Sequence, residues 1–260
     1  MPTLDGKVAV ITASTRSLGR AIAEAYLAEG AYVVISSRSA EKGEQALREL
    51  DAGTQAHFVP CDATRREDVE HLIAAAIDHF GGLDIAVLNA GGCDKTAPVA
   101  EMSDEEWQFE LDWNLNHVFW GMRASIQHML PRKSGRIIAM SSMEGKLGKP
   151  GIPGYVANKH AILGLVKSAA REVGTEGITI NALCPGIVLT DAFYDVGPAT
   201  IQAMNLPDLD ALAAIYYKES ALQRPIEAAE VAAAALFLAS DAASGITGTA
   251  LNVDGGASPY

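Results

Sequence analysis

Tyr155 and Lys159, four residues apart and preceded by the dipeptide Ser141-Ser142, are the side chains of this sequence best suited to move a proton. On a helix that step stacks phenol and ammonium on one face, one turn apart. A free phenol has a pKa of about 10, and bringing it to about 7 takes roughly 4 kcal/mol. A neighbouring cation favours the phenolate, and partial exclusion of water strengthens the effect. The expectation is that Lys159 lowers the pKa of Tyr155. Ser142 follows the apolar run Arg136-Ile137-Ile138-Ala139-Met140, which reads as a buried strand. At a strand's carboxyl end a hydroxyl can hydrogen-bond a carbonyl oxygen as negative charge builds on it. A Tyr-x-x-x-Lys pair also arises by chance in helices, so its surroundings decide its meaning.

Those surroundings alternate strands with helices. Lys7-Val8-Ala9-Val10-Ile11-Thr12 is a nearly continuous apolar run, as expected of a strand covered on both faces. A loop, Ala13 to Gly19, leads into a helical pattern through Ala21, Ile22, Ala25 and Leu27 that ends at Gly30, and Tyr32 to Ser36 is a second strand. This opening βαβ unit announces a parallel sheet. The pattern continues with a helix over Glu41 to Leu50, a strand His57 to Val59, a helix Arg66 to Phe80 and a strand Ile85 to Leu88. One long helix over Asp104 to Met129 precedes the Ile137 strand. After it come a helix Tyr155 to Val173, a strand Thr179 to Leu183, a helix Ala228 to Leu238 and a strand Ala250 to Val253. Seven strands of this kind predict a single α/β domain over residues 1–260, a doubly wound (Rossmann) parallel sheet with helices on both faces. Asn89-Ala90-Gly91-Gly92, Pro185-Gly186 and Gly255-Gly256 fall at strand ends on one sheet edge. Each alone suits an ordinary turn, whereas their shared position favours a site. Residues 187–225 break the pattern, reading as irregular chain with Pro198, Pro207 and the apolar Leu189, Phe193, Tyr194, Met204, Leu206 and Tyr216. A segment of that length in a compact domain suggests a substrate lid.

Bulk properties narrow the function classes. The chain has 260 residues, 49% hydrophobic and 20% charged, with a net charge of −12 and no basic run, which argues against nucleic-acid and anionic-membrane partners. No apolar segment approaches the roughly 20 residues needed to cross a bilayer. Met1 to Gly6 lacks the basic and apolar regions of a signal peptide, so a cytoplasmic location is expected. Cys61, Cys93 and Cys184 are scattered without metal-ligand spacing, so reduced thiols and no bound metal are expected.

Taken together, the Thr12 to Gly19 loop, Asn89-Ala90-Gly91, Asn114 in the long helix, the Ser142, Tyr155 and Lys159 set, and Pro185-Gly186-Ile187-Val188-Leu189-Thr190 resemble the short-chain dehydrogenase/reductases over essentially the whole chain. The resemblance implies catalysis by Asn114, Ser142, Tyr155 and Lys159. Tyr155 would be the acid/base, Lys159 would hold the nicotinamide ribose, Ser142 would bind the substrate oxygen and Asn114 would support a water relay. It also implies cofactor contacts from Thr12, Ser14, Arg16, Ser17, Leu18, Gly19, Asp62, Ala63, Asn89, Ala90, Gly91, Pro185, Gly186, Val188 and Thr190, besides Tyr155 and Lys159. The chain departs from the family pattern in its cofactor loop, where Ala13 and Ser17 stand for the first two glycines and only Gly19 remains. Alanine is tolerable at the first place with a negative φ. At the second, the Ser17 hydroxyl can donate to a phosphate at the helix start. Leu88 stands where an asparagine is common. Ser37 occupies the place of the ribose-binding aspartate of NAD users, and Arg38 with Arg16 suits a 2′-phosphate. The preferred cofactor is thus NADP(H), with NAD(H) as the alternative.

The substrate pocket implied by the resemblance draws on Cys93, Trp113, Met143, Glu144, Ile152 and the lid, and is mostly apolar, as a ketone or secondary alcohol with a hydrocarbon body would need. Family members acting on 3-hydroxybutyrate carry a lysine three residues before the tyrosine. Ile152 stands there, which argues against a small hydroxy acid. Arg132, Lys133, Arg136 and Arg171 offer a basic patch for an acyl carrier protein. The reading is a reversible hydride transfer between nicotinamide and a carbonyl carbon. Its alternatives are an NADP(H)-sensing protein without catalysis and an NAD-dependent hydroxy-acid dehydrogenase. A homotetramer is also implied, packed through the helices that begin at Asp104 and Tyr155. The apolar stripe Leu111, Leu115, Val118 and Phe119 fits that packing and fits a core equally well.

Overall fold

The computed structural model describes residues 3–203 and 205–259, and only the backbone at Ala192, Val196, Ala199 and Ala203. Met204, named above in the 187–225 segment, lies outside the described residues, as do Met1, Pro2 and Tyr260. In chain order the elements are β1 (Val8–Ile11), α1 (Ser17–Ala28), β2 (Tyr32–Ser37), α2 (Ala40–Leu50), β3 (Ala56–Pro60), α3 (Arg66–Phe80) and β4 (Ile85–Leu88). Then follow α4 (Asp104–Leu111), a π-turn (Asp112–Asn116), α5 (His117–Arg132), β5 (Gly135–Met140), a 3-10 turn (Met143–Gly145), α6 (Pro153–Val173) and β6 (Ile178–Pro185). The last are α7 (Asp191–Ala203), α8 (Leu209–Glu219), α9 (Ala228–Ala239) and β7 (Ala250–Val253).

All seven strands are parallel, in the order β3-β2-β1-β4-β5-β6-β7. Strand alternation builds the two cores. Val10, Val34, Ala86, Ile137 and Ile180 pair across the strands and face one side, where they pack with Leu72, Val118, Met122 and Val166 of α3, α5 and α6. Their neighbours Ala9, Val33, Ile85 and Ile138 face the other side and meet Ile22, Tyr26, Val231 and Ala235 of α1 and α9. The strand order reverses between β1 and β4, and there the carboxyl ends of the strands leave the crevice in which open α/β sheets bind ligands.

Two expectations change. The helix expected over Asp104 to Met129 is interrupted by the π-turn at Asp112–Asn116 and runs on to Arg132. The segment 187–225, expected to be irregular, contains α7 and α8, whose apolar residues Phe193, Leu212 and Ala213 form a small core of their own. Its prolines do not prevent this: Pro198 lies inside α7 and Pro207 precedes Asp208, whose side chain caps α8 by accepting from the Ala211 amide.

Candidate active site

The carboxyl ends of β1, β4 and β5 bring the sequence-predicted residues together. Thr12, at the end of β1, is buried, and its Oγ1 accepts from the Asn89 amide at 2.7 Å and the Ala90 amide at 2.9 Å. Asn89 answers by donating its Nδ2 to the carbonyls of Thr12 and Ala13. This lacing fixes the loop after β4 against the loop after β1. A Cβ built on Gly91 would lie 2.6 Å from Asn114 Oδ1 and 3.1 Å from Lys159 Nζ, so only glycine lets those two groups converge here. Asn114 is fully buried in the π-turn and clamps the Gly92 backbone, accepting from its amide and donating to its carbonyl, both at 3.0 Å. π-turns interrupt α-helices chiefly where function requires it.

Pro153 starts α6 at its first turn, which puts Tyr155 and Lys159 on the face turned toward β5. Lys159 is buried, donates its Nζ to Met140 O at 2.9 Å and stands 5.3 Å from the centre of the Tyr155 ring. Burial lowers its pKa to about 8. The phenol of Tyr155 is raised above its ordinary value of 10, first by burial and then by the charge of Glu144, with Ser142 pulling the other way. This corrects the expectation that Lys159 acidifies Tyr155. In this arrangement the ammonium is directed at a backbone carbonyl, and desolvation of the phenolate dominates. The Ser142 hydroxyl donates to Glu144 Oε2 in a very short hydrogen bond, and Glu144 is itself 7% exposed. The pocket is thus less apolar than its neighbours Met143 and Ile152 suggest.

The cofactor loop departs from expectation at Ala13. Its φ is +52°, in the left-handed region, where the methyl group is strained, and not the negative value that would make alanine harmless. Ser17 has φ +54°. A Cβ on Gly19 would collide with Ala13 O and Asn89 Nδ2, so this glycine permits the tight turn. The fit to a dinucleotide is nonetheless good: Ser17 Oγ is buried without a hydrogen-bond partner at the start of α1, and no side chain caps that helix. Free first-turn amides and an unsatisfied hydroxyl form an anion site of the kind a pyrophosphate fills.

The remaining candidates divide. Leu18 packs on the α1 face of the core, and Ser37 and Asp62 lie at the ends of β2 and β3, Asp62 Oδ1 holding Thr64 while Ala63 is half-buried beside it. Pro185 ends β6, and Gly186, Val188 and Thr190 follow it along the same edge. Ser14 is fully buried, and its hydroxyl is spent between Ile11 O and the Ser36 amide, so it shapes the loop and does not face a ligand. Arg16 is also engaged: its Nη1 lies 2.6 Å from Asp195 of α7. Arg38 is exposed and makes no ion pair among the described residues. The basic patch falls at the amino edge of the sheet, away from Ser142, and three of its members are paired, Arg132 with Asp84, Lys133 with Glu176 and Arg136 with Asp241. Leu88 is core.

His117 was not among the sequence candidates, yet it joins the two halves of the site. Its ring nitrogens lie 3.3 Å from Thr12 Oγ1 and 3.3 Å from Asn114 O, and burial lowers its pKa to about 3. The only sequence signal was a histidine three residues after Asn114 in an apolar helix. On the substrate side Cys93 donates to Lys95 O, its thiol pushed up to about 12 by burial and by Glu110, and Trp113 closes over Gly92. Tyr216 of α8 has its phenol pushed up to about 12 by burial and by Glu144, while Lys149 holds Glu219 at 3.0 Å.

Residues 12–258 match the family model described as enoyl-(acyl carrier protein) reductase, one of the short-chain dehydrogenase group. The chain belongs to the short-chain dehydrogenase/reductase family. It is an oxidoreductase that interconverts ketones and secondary alcohols and uses a nicotinamide cofactor. It is 37% identical over 253 residues to the 3-oxoacyl-(acyl-carrier-protein) reductase of Haemophilus influenzae, covering 97% of this chain and 98% of that one. It is 35% identical over 270 residues to a 3beta-hydroxysteroid dehydrogenase of Mediterraneibacter gnavus, covering 100% and 98%. A point variant of actinorhodin polyketide ketoreductase solved with NADPH superposes with a TM-score of 0.93 at 32% identity, each chain covered completely. Among the described residues no helix is long and apolar enough to cross a membrane.

Proposed function

We propose that this oxidoreductase is NADP(H)-dependent, with Tyr155 as the proton donor and acceptor and residues 187–225 as its substrate lid. The observation that carries the reading is the convergence of Asn114, Ser142, Tyr155 and Lys159 at the carboxyl edge, beside the uncapped start of α1 and its partnerless Ser17 hydroxyl. A bound reduced nicotinamide would supply a hydride to the carbonyl carbon. The chain does the rest. The helix start with Ser17 and Leu18 receives the pyrophosphate, Asp62 and Ala63 the adenine, and Asn89, Ala90, Gly91 and Lys159 the ribose next to the nicotinamide. Pro185, Gly186, Val188 and Thr190 line the nicotinamide side. Ser142 donates to the substrate oxygen, and Tyr155 gives that oxygen its proton in reduction or removes it in oxidation. Asn114 positions the Gly91–Gly92 backbone under Lys159.

The case for NADP(H) rests on Ser37 and Arg38 at the end of β2, and on Arg16 once it leaves Asp195 for a phosphate. The ketoreductase solved with NADPH supports it by similarity. A cytoplasmic location and a homotetramer are further proposals drawn from the composition, the relatives and the exposed Trp107, Phe119 and Leu130 along α4 and α5. Steady-state assays at 340 nm over a ketone panel test the cofactor reading: kcat/KM should favour NADPH over NADH by tenfold or more, and the reverse preference would overturn it.

A further inference from the structure

The hydrogen bond from Ser142 to Glu144 raises a difficulty for any simple ketone. A serine hydroxyl carries one proton, and that proton is already given to Glu144 Oε2. To donate to a substrate oxygen, Ser142 must turn away from the carboxylate. Glu144 is buried, its backbone amide faces Ser142 Oγ, and among the described residues its carboxylate accepts from nothing else. Losing Ser142 would leave a buried charged acceptor unpaired, at a cost that a substrate must offset. The carboxylate's charge acts on the reacting centre, helping to raise the pKa of Tyr155, Lys159 and Tyr216.

We propose that Glu144 determines specificity by accepting a hydrogen bond from a hydroxyl on the carbon next to the reacting carbonyl, so that the substrates are vicinal hydroxy ketones and the products vicinal diols. The two oxygens of such a substrate stand about one hydrogen-bond length apart, as do Ser142 Oγ and Glu144 Oε2. The carbonyl oxygen accepts a hydrogen bond from Ser142 while the neighbouring hydroxyl donates to Glu144 in its place. A neutral donor suits the site better than an ammonium group, because the charges of Lys159 and Glu144 already act on one another. In the reaction the carbonyl carbon gains the hydride of the reduced nicotinamide and its oxygen gains the Tyr155 proton. The second hydroxyl keeps its proton throughout.

This inference rests on the reading of Ser142 and Tyr155 given above, and the test separates the two. With NADPH and NADH each supplied, kcat/KM is measured for 2-hydroxycyclohexanone and for cyclohexanone. The wild-type protein should favour the hydroxy ketone by tenfold or more. Glu144→Ala should bring the ratio close to one, both by losing the acceptor and by freeing Ser142 for the plain ketone, and Glu144→Gln should fall between. A second readout needs no turnover: without cofactor, cyclohexane-1,2-diol should raise Tm more than cyclohexanol does. Equal kcat/KM for the two ketones in the wild type, or equal Tm shifts, would overturn the role of Glu144. Turnover of neither ketone would overturn the assignment of Ser142 and Tyr155 on which it depends.

Discussion

At the residue level, the proposed acid/base role of Tyr155 makes its protonation set the reaction's dependence on pH. Burial and Glu144 hold the phenol protonated well past neutrality, so it is ready to give a proton but must first lose one to act as a base. Reduction should therefore stay flat between pH 6 and 8, while alcohol oxidation gains rate with every pH unit across that range. An oxidation rate already level at pH 7 would contradict this. Ala13 bears a cost that sequence alone did not reveal, since its identity is visible but its φ of +52° is not. Ala13→Gly should relieve up to about 1 kcal/mol of strain, seen as a Tm rise of roughly 2–4 °C; a fall in Tm would refute the strain. His117 titrates in the opposite sense to a paired histidine. Its folded-state pKa of about 3 lies below the ordinary 6.5, so the unfolded chain takes up the proton first. Stability is full above pH 6.5 and falls as pH drops toward 3. By pH 5 this one group should cost roughly 2 kcal/mol, and His117→Gln should flatten that part of the Tm-versus-pH curve. An unchanged slope would show that His117 is protonated in the folded protein.

At the level of elements, the strands and most helices were legible because their apolar periodicity is unambiguous. The expected helix Arg66 to Phe80 and strands Ile85 to Leu88 and Ala250 to Val253 match the observed bounds. The π-turn escaped, because one residue added to a helical turn leaves the apolar pattern on either side intact. Its purpose appears only when Asn114 is seen gripping the Gly92 backbone. The helices α7 and α8 escaped for another reason: their prolines and scattered apolar residues mimic a loop, and they bury only a small separate core. Segments with so few buried contacts open at low free energy. Limited proteolysis should cut first within residues 187–225, and NADPH together with a ketone should slow that cut. First cleavage elsewhere, or no protection, would count against a closing lid. The ion pairs Arg16–Asp195 and Lys149–Glu219 tie this segment to the cofactor loop and to the approach to α6, although exposed pairs contribute little stability.

At the scale of the molecule, strand order, the switch point between β1 and β4 and the single carboxyl-edge site follow from the alternation of elements in the chain. What the chain did not disclose is how charges sit once buried: that Glu144 captures Ser142, that Lys159 bonds Met140 O, and that Asp195 occupies Arg16. These are three-dimensional coincidences of residues far apart or oriented by a single turn, and no periodicity marks them. The phenol of Tyr155 stands at the centre of the proposed reaction. Replacing it with phenylalanine removes one oxygen from a buried site and leaves the sheet edge intact. In assays at 340 nm Tyr155→Phe should lower kcat by a thousandfold or more, while NADPH titrated by fluorescence should bind within a few-fold of wild type. Retention of a tenth or more of the wild-type kcat would contradict it.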